Sequence, residues 1–496
     1  MNYISTRNAN TTFESVSAAC AIKRGLSSNG GLFMPSRIPA LNDGEIGKIA
    51  KMSYPERAAY VLSKYLTDYT YEELLEDACA AYSEQRFPGG AAPVVKVKDG
   101  IYTLELWHGP TCAFKDMALQ IMPRLLSRAL KKTAEKNTAL ILVATSGDTG
   151  KAALEGYKDV DGIKIIVFYP KNGVSRVQEL QMVTQEGSNV EVCPIDGNFD
   201  DAQTGVKKMF VDKEFAKLML ENGCVLSSAN SINFGRLAPQ IVYYISAYCD
   251  LVNSGEIKEG DEIDICVPTG NFGNILAAYM AKQMGMPFRR FVCASNQNNI
   301  LTDFIRTGKY DKKREFMLSI SPSMDILISS NLERLLYLLA GDEKTKLWMR
   351  ALRENGDYEV DAETLEKLQA EFCGYFCSEE DTKSTIKRVF ENEKYLMDTH
   401  TAVGYNCAEQ YLAQSKQDKV PMLVASTASP YKFASDVYAS LTGEKPQDLE
   451  ALTLLSKLTG TEIPAPLANI GERTVRFDGV SAVSQMPEKV SEFSKK

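Results

Sequence analysis

Lys115 is the residue with the clearest potential for covalent chemistry. It stands where a predicted loop, His108 to Phe114, meets the apolar run of residues 117–130, which predicts a helix. A helix behind a lysine can hold its amine in place, and partial burial or a nearby cation lowers the pKa of that amine and makes it a nucleophile or a base. Pro123 lies within the helical pattern, so we expect the helix to begin late or to kink there. Spacing alone is more typical of an ordinary surface lysine before a helix, so the argument depends on the surrounding segments.

Two glycine-rich segments follow strand-length apolar runs and have the composition of anion sites. Residues 145–150 (TSGDTG) follow the run 139–144, and residues 269–274 (TGNFGN) follow the run 262–268. A turn that opens a helix at the end of a strand presents backbone N–H groups, which favour a carboxylate or a phosphate. The second segment is neither a Walker A loop nor a full dinucleotide fingerprint, and its length fits a single phosphate. For each segment the alternative is a plain strand-to-helix turn.

Two polar clusters extend this pattern. Residues 230–236 (NSINFGR) gather two amides, a hydroxyl and the guanidinium of Arg236, which suits bidentate contact with a phosphate or a carboxylate. Residues 425–430 (ASTASP) follow another apolar run and offer hydroxyls that could meet a ring nitrogen without forcing its protonation. A capped helix start and an ordinary turn are the alternatives. Four of the five segments directly follow a predicted strand or lie one loop beyond it, so we expect them at one edge of one sheet.

The elements that must position these segments alternate between short apolar strands and helices. The predicted strands are residues 139–144, 163–169, 190–195, 262–267, 291–294 and 420–425. Near-continuous apolar strands followed by helices are typical of parallel sheets covered on both faces, which predicts an α/β fold. Residues 55–81 are predicted to be helical, and charged helices are expected over 342–354, 362–377 and 382–391. The last 20 residues are expected to fray.

Composition narrows the classes of function. The chain has 496 residues, enough for two or three domains, and a net charge of −8 without a Lys/Arg stripe, so a nucleic-acid partner is not expected. Its 11 cysteines are expected to be reduced, which fits the cytoplasm, and Cys373 and Cys377 lack the matching second pair of a zinc site. We expect no signal peptide, no transmembrane helix and no bound metal. The two histidines, His108 and His400, exclude a mechanism built on several histidines.

The ordered segments HGPTCAFKD, TSGDTG, SSANSINFGR, PTGNFGN and STASPYKF resemble those of threonine synthases, which use pyridoxal 5′-phosphate (PLP) and have the tryptophan-synthase-β (type II) fold. The N-terminal YISTRN and GLSSNGGLFMPSRIP are similar to the extension of the longer bacterial and fungal form. The resemblance covers about residues 3–440. It implies two α/β domains with the cofactor between them, a mainly helical N-terminal domain and a helical insertion. The implied ranges are 1–98 for the N-terminal domain, 99–496 for the catalytic region, about 110–250 and 251–470 for its smaller and larger subdomains, and about 300–400 for the insertion.

The resemblance also implies roles for individual residues. Lys115 is expected to hold PLP as a Schiff base. The PLP phosphate is assigned to Gly270, Asn271, Phe272, Gly273 and Asn274, and the pyridine nitrogen to Thr427 or its neighbour Ser426. The substrate carboxylate is assigned to Ser146, Gly147, Asp148, Thr149 and Gly150, with Asp148 also near the ring hydroxyl, and a substrate phosphate to Asn230, Ser231 and Arg236 together with Thr111. Asp148 departs from the family pattern, because many type II enzymes have Asn there.

The implied reaction converts O-phospho-L-homoserine and water into L-threonine and phosphate, the last step of threonine biosynthesis, catalysed by a carbon–oxygen lyase acting on phosphate. Lys115 is the expected proton shuttle. One alternative is another type II lyase, such as a serine/threonine dehydratase or a phosphohomoserine lyase. Another is a non-catalytic relative, which would be expected to lack the lysine. The expected partner is a small molecule, with no membrane or nucleic acid, and the expected state is a monomer or weak homodimer.

Overall fold

The computed structural model describes residues 1–8, 15–145, 147–414 and 420–496, apart from the side chains of Asp200 and Asp448. The N-terminal part combines a small antiparallel pair of strands with four helices. These elements are β1 (Tyr3–Ser5), α1 (Ala18–Arg24), β2 (Phe33–Pro35), α2 (Glu45–Ala50), α3 (Tyr54–Tyr65) and α4 (Tyr71–Ala81). The helical prediction for 55–81 is confirmed, except that two helices replace one. A capping box at Thr70 and Glu73 starts the second helix.

The next part of the chain contains two strands of the six-stranded sheet and four strands of the five-stranded sheet. In order it forms β3 (Val94–Lys98), β4 (Ile101–Glu105), α5 (Asp116–Leu119), α6 (Met122–Lys132), β5 (Thr138–Ala144), α7 (Asp148–Tyr157), β6 (Ile163–Pro170), α8 (Arg176–Val183), β7 (Val190–Asp196), α9 (Phe199–Val211), α10 (Lys213–Glu221), β8 (Cys224–Ser227) and α11 (Phe234–Asn253). The break expected at Pro123 is confirmed. A short helix ends before residue 120, and α6 begins with Pro123 in its first turn.

The remainder supplies the other four strands of the six-stranded sheet, the edge strand of the five-stranded sheet and further helices. It forms β9 (Ile263–Pro268), α12 (Gly273–Gln283), β10 (Phe288–Ser295), α13 (Ile300–Thr307), β11 (Lys309–Asp311), α14 (Leu332–Glu354, broken at Gly341), β12 (Asp357–Glu359), α15 (Ala362–Glu371), β13 (Phe372–Phe376), α16 (Glu379–Glu393), α17 (Thr399–Gln414), β14 (Met422–Ser426), α18 (Ala434–Thr442), α19 (Asp448–Thr459), β15 (Ser481–Ala482) and α20 (Met486–Lys495). All six predicted strands are present, with ends that differ by a few residues.

Two parallel sheets dominate the architecture, which confirms the α/β prediction. The five-stranded sheet has the order β15-β7-β6-β5-β8, and all its strands are parallel. The six-stranded sheet has the order β13-β10-β9-β14-β4-β3, and only the β3–β4 pair is antiparallel. Neighbouring residues of one strand enter different cores, as Leu140 and Ile141 of β5 do. Burial on both faces explains why central strands such as β5 and β6 are almost entirely apolar.

Two predictions of local structure are wrong. Residues 372–376, expected to continue a helix, form edge strand β13 beside β10. Phe372 is buried in the sheet core, with its ring 5.3 Å from that of Phe291, and this tertiary packing overrides the helical pattern that precedes the strand. The C-terminal residues do not fray over their whole length. Met486, Val490 and Phe493 of α20 are buried against the five-stranded sheet, and their burial holds the helix in place.

Arg57 ties the N-terminal helices to α11, the long helix that carries Arg236. Its guanidinium is buried and donates to the carbonyl of Ile49 (3.1 Å) and to Ser246 Oγ (2.7 Å) and Asp250 Oδ1 (2.6 Å). A second branch donates to the Ala50 carbonyl (3.0 Å). One side chain therefore satisfies polar groups on α2 and α11 at the same time.

We predict that Arg57→Met lowers the free energy of unfolding by about 2 kcal/mol, because it leaves buried acceptors without a donor. Urea denaturation followed by far-UV circular dichroism measures this change. Arg350→Met is the control, since Arg350 forms an exposed pair with Glu354 within one helix. Equal losses in the two variants would contradict the structural role of Arg57.

Candidate active site

Five loops that carry the predicted residues all leave the carboxyl ends of parallel strands. The Lys115 loop follows β4, the segment with Thr145 and Gly147 follows β5, and the loops 228–233, 269–272 and 427–429 follow β8, β9 and β14. The expectation of one edge of one sheet is wrong, since β5 and β8 belong to the five-stranded sheet and the other three strands to the six-stranded sheet. Hydrogen bonds between the loops show that the two edges meet. Ligands of α/β proteins bind at such edges.

The Lys115 loop is held by backbone hydrogen bonds to the loop after β14. Phe114 N–H donates to the Thr427 carbonyl (2.8 Å), and Ser429 N–H donates to the Cys112 carbonyl (3.0 Å). These bonds place Lys115 directly before α5, with its side chain only 10% exposed. The amine therefore occupies a fixed, nearly dry position at the junction of the two sheets.

The amine of Lys115 lies between a hydroxyl and a carboxylate. Its Nζ donates to Ser323 Oγ at 3.3 Å and lies 3.6 Å from Asp148 Oδ2. Burial lowers the pKa of Lys115, Asp148 opposes this effect, and the cations Lys432 and Arg236 lower the pKa further. A lysine with a lowered pKa has more free amine at neutral pH, so it is a better nucleophile and base.

Asp148 begins α7, where the N-terminus of a helix favours negative charge. Its Oδ1 lies 3.0 Å from Lys432 Nζ and accepts a hydrogen bond of 3.0 Å from Gln178 Nε2. Burial by itself raises the pKa of Asp148, but the ammonium groups of Lys432 and Lys115 outweigh burial and hold its pKa well below the ordinary value. Asp148 is therefore a buried carboxylate that stays ionised.

Glycine at position 147 permits this arrangement. Gly147 has a φ of 136°, and a Cβ on it would lie 2.5 Å from the side-chain amide of Gln178. Thr145 Oγ1 accepts hydrogen bonds of 3.0 Å from the N–H groups of both Gly147 and Gly150. Thr149 is half-buried, and Ser146 lies outside the described residues. The turn thus forms a shaped helix start with Asp148 turned inward.

The loop after β9 has the shape of a phosphate cradle. A Cβ on Gly270 would lie 2.5 Å from the Ser323 carbonyl, so only glycine fits there. The Asn271 carbonyl accepts two hydrogen bonds of 3.0 Å from Asn331, and Phe272 adopts φ 61° before α12 starts at Gly273. The first N–H groups of a helix have no partners within it and suit a phosphate.

Asn274 is turned away from the cradle into a cluster of tyrosines. Its Oδ1 accepts hydrogen bonds from Tyr243 (2.7 Å) and Tyr244, and its Nδ2 is buried without a hydrogen-bond partner among the described residues. The side chain is 7% exposed, so it anchors the first turn of α12. Its backbone remains part of the helix N-terminus.

Arg236 is a buried cation without a carboxylate partner in the described part of the chain. It is 4% exposed, its Nη1 donates to the Ala229 carbonyl (2.6 Å), and its Nε has no described partner. Burial lowers its pKa to about 10, which still leaves it charged at neutral pH. A buried guanidinium with spare donors favours an anionic ligand, since an uncompensated buried charge is costly.

The half-buried Asn230 and Ser231 lie on the same loop and connect Arg236 to the cradle. Ser231 Oγ is 3.3 Å from Ser330 Oγ, and Ser330 Oγ donates to Asn271 Oδ1 at 3.3 Å. The two anion-binding segments predicted from sequence are therefore neighbours, although about 40 residues separate them in the chain.

Two residues predicted to contact a ligand have hydroxyls that already form hydrogen bonds within the protein. Thr111 is fully buried and donates to Asp116 Oδ1 (2.8 Å), and Ser426 Oγ accepts a hydrogen bond from Trp107 Nε1 (2.9 Å). Thr427 is buried as well, but its hydroxyl has no hydrogen-bond partner among the described residues. Thr427 is therefore better placed than Ser426 to meet a ligand.

Sequence reasoning missed a second set of residues at the site. Ser323 N–H donates to His400 Nε2 (3.1 Å), and His400 Nδ1 lies 2.8 Å from Asp398 Oδ2, so a buried histidine supports the segment that contacts Lys115. Lys432 and Gln178 reach Asp148. Most of these partners lie far from Lys115 in the chain, and no short-range spacing could reveal them. Lys432 lies within STASPYKF, a segment already identified from the sequence, so it is the one residue of this set that the sequence could have pointed to.

These residues fit PLP. The cofactor has an aldehyde for an amine, a phosphate for a glycine cradle and a ring nitrogen for a hydroxyl. Lys115, the Gly270 loop and Thr427 offer these groups, and the close approach of the Ser323 carbonyl to Gly270 explains why a side chain is absent there. Among the described residues, no group of three His, Cys, Asp or Glu is arranged to hold a metal ion. The helices of the described ranges include none long and apolar enough to cross a membrane.

Three family models match the chain. The pyridoxal-phosphate dependent enzyme model matches residues 89–426, the threonine synthase N-terminus model matches residues 2–82, and the threonine synthase C-terminal model matches residues 401–493. Together they cover nearly the whole sequence and follow its order.

Curated relatives and solved structures agree with these models. Human threonine synthase-like 1 is 42% identical over 85% of the chain, but the match spans only 57% of that protein. Threonine synthase from Schizosaccharomyces pombe is 36% identical, with 89% of this chain and 90% of the relative covered. The structure of PLP-bound threonine synthase from Brucella melitensis has a TM-score of 0.88 at 34% identity, with all of both chains covered.

The yeast threonine synthase structure also gives a TM-score of 0.88, at 32% identity over 99% of this chain and 98% of that one. Agreement over whole chains confirms the type II fold suggested by the ordered segments. The chain therefore belongs to the threonine synthase family of pyridoxal-phosphate dependent enzymes.

Proposed function

We propose that the protein is a threonine synthase, which converts O-phospho-L-homoserine and water into L-threonine and phosphate. The observation that carries this proposal is Arg236, a buried guanidinium with a free Nε beside the Lys115 site. A PLP enzyme needs one cradle for the phosphate of its cofactor. A second anion site joined to that cradle favours a substrate with a phosphate of its own.

The assignment of groups to ligands is part of the proposal. The Gly270–Asn274 loop binds the cofactor phosphate, Thr427 faces the ring nitrogen, and Lys115 makes the covalent link. The turn formed by Gly147, Thr149 and Gly150 binds the substrate carboxylate at the N-terminus of α7. Asn230, Ser231 and Arg236 bind the substrate phosphate. Ser146 is proposed to assist in carboxylate binding. Thr111 is proposed to assist in phosphate binding only indirectly, because its hydroxyl already donates to Asp116.

When bound, PLP supplies an aldehyde that links to amines and a ring that accepts electrons from the substrate. The residues of the chain then move protons and hold charges. Lys115, once released by the substrate amine, removes the proton from Cα as a free base, for which its lowered pKa suits it. Lys115 would have to give up this proton before it takes a second one from Cβ, and Arg236 would hold the phosphate as it leaves Cγ. A proton then has to be returned to Cγ, water adds its hydroxyl at Cβ, and a proton is returned to Cα, so that the two protons removed and one water account for threonine and phosphate.

The domain ranges and the cellular setting are proposed on similar grounds. An N-terminal domain over residues 1–98 is supported by the threonine synthase N-terminus model over 2–82, and residues 99–496 form the catalytic region. The cysteines are all free thiols, which favours a reducing compartment and a cytoplasmic location. We propose a monomer or weak homodimer.

Product analysis tests the function directly. The purified protein with PLP should convert O-phospho-L-homoserine into threonine and phosphate in equal amounts. Formation of 2-oxobutyrate and ammonia in place of threonine would instead identify a phosphohomoserine lyase, the alternative that shares Lys115 and the phosphate cradle. Serine and threonine, supplied separately, test for dehydratase activity.

We predict that Lys115→Ala abolishes both turnover and the covalent link to PLP, because no other amine of the described residues occupies this position. After borohydride treatment of the holoenzyme, peptide mass spectrometry should find the pyridoxyl phosphate group on the Lys115 peptide. Lys131→Ala, a change at an exposed position of α6, is the control and should keep the label. Labelling at another lysine would refute the assignment.

We predict that Arg236→Ala lowers kcat/KM for O-phospho-L-homoserine about 100-fold, a loss typical of removing one partner of a buried charged contact. The dissociation constant of PLP should change by no more than about threefold, because Arg236 lies beyond the cradle. Steady-state kinetics and a PLP titration measure the two quantities. Parallel losses in both would show that Arg236 is structural, and Arg236→Lys should recover only part of the activity.

A further inference from the structure

Lys432 is a fully buried lysine at the junction of the two sheets. It lies in the turn Pro430–Phe433 that follows β14, and its side chain has 0% exposure. Its Nζ has three acceptors, which are the Thr111 carbonyl (2.9 Å), Gln181 Oε1 (3.0 Å) and Asp148 Oδ1 (3.0 Å). An ammonium group has three protons, so each one can be used.

Such a site is costly unless it is fully satisfied, since burying an unpaired charge carries a large penalty. The three acceptors come from different parts of the fold. Thr111 belongs to the Lys115 loop beside the six-stranded sheet, whereas Asp148 and Gln181 belong to α7 and α8 beside the five-stranded sheet. Lys432 therefore joins the two halves of the site at one point.

The charges around Lys115 show what this junction does. Asp148 faces Lys115 through Oδ2 at 3.6 Å and faces Lys432 through Oδ1 at 3.0 Å. Arg236 of α11 adds a further positive charge, and Ser323 is the neutral partner of the amine. Asp116, next in the chain, is bound to Thr111, and burial raises its pKa to about 6. Asp148 is thus the main anion facing the amine, and Lys432 holds it from the other side.

We propose that Lys432 is a positioning residue that occupies Asp148 Oδ1 and so keeps Asp148 from closing onto Lys115 as a tight ion pair. The Lys115 amine is then left with enough free base to react. This inference rests on the proposed role of Lys115 and not on the identity of the substrate.

The pair also explains the acidic residue at position 148. The pair of Asp148 and the Lys432 ammonium has no net charge, as an asparagine at position 148 would have none. Unlike an asparagine, Asp148 keeps an ionised oxygen next to Lys115. The carboxylate and Lys432 therefore belong together as one unit. The competing role for Lys432 is purely structural, in which its hydrogen bond to the Thr111 carbonyl only holds the Lys115 loop in place.

The test compares Lys432→Met, Asp148→Asn and the double variant in the full chain freed of PLP. Brief acetylation with a trace of acetic anhydride across a pH series, read at the Lys115 peptide by mass spectrometry, measures the pKa of the amine. Loss of the nearby cation in Lys432→Met should raise this pKa by about one to two units. Loss of the anion in Asp148→Asn should lower it, and the double variant should return to within about half a unit of the parent.

Lys151→Met is the matched control. Lys151 is also buried on α7, but it pairs with Glu155 at 3.2 Å and does not contact Asp148. This variant should leave the pKa of Lys115 unchanged. PLP added before acetylation should protect Lys115, which shows that the label reports on the cofactor site.

An unchanged Lys115 pKa in Lys432→Met, with Asp148→Asn still lowering that pKa, would overturn the proposal. Lys432 would then serve only to hold the Thr111 carbonyl in place. If Lys432→Met does not fold, Lys432→Gln carries the same expectation, because its amide can still donate to the Thr111 carbonyl but has no charge. Lys432→Arg, which keeps the charge, should match the parent. Formation of 2-oxobutyrate and ammonia from O-phospho-L-homoserine would refute the threonine synthase assignment without altering these pKa values.

Discussion

The buried carboxylate of Asp148 is the interaction on which the site depends. It lies between the ammonium groups of Lys115 and Lys432, at 3.6 Å and 3.0 Å, in a region from which water is nearly excluded. Two cations and one anion in such a place are stable only if each is held by several partners. Gln178, Gln181, Ser323 and the Thr111 carbonyl provide them, and they come from three different segments of the chain, since both glutamines lie on α8.

These segments meet because of a property of parallel sheets. All strands of such a sheet end at the same edge, and the loops and helix starts that follow them gather there. Here the edges of two sheets meet, so the amine of Lys115 in the loop after β4 lies close enough to Asp148 in the turn after β5 for an ion pair. Arg236 at the start of α11 contributes a further cation without a described counter-ion. The result is a site with a surplus of positive charge in a protein whose net charge is −8.

Much of the fold could be predicted, because strands buried on both faces are apolar throughout and helices begin at capping residues. The errors have physical reasons. β13 follows a helical pattern directly, and only its place beside β10 makes it a strand. β8 has four residues, too few for a periodic signal. α20 has many charged residues, and the face that it buries becomes visible only against the five-stranded sheet.

The sequence by itself determined which chemistry was available, through a lysine before a helix, glycine turns after strands and an arginine beside amides. Residue type and local spacing are sufficient for this, because loop and helix-start geometry is set within a few residues. Only the tertiary structure decided which groups act on one another. Lys432 reaches Asp148 across 284 positions of sequence, and His400 supports Ser323 across 77. Burial then sets the pKa values, since the cost of charge depends on the surroundings and not on the residue alone.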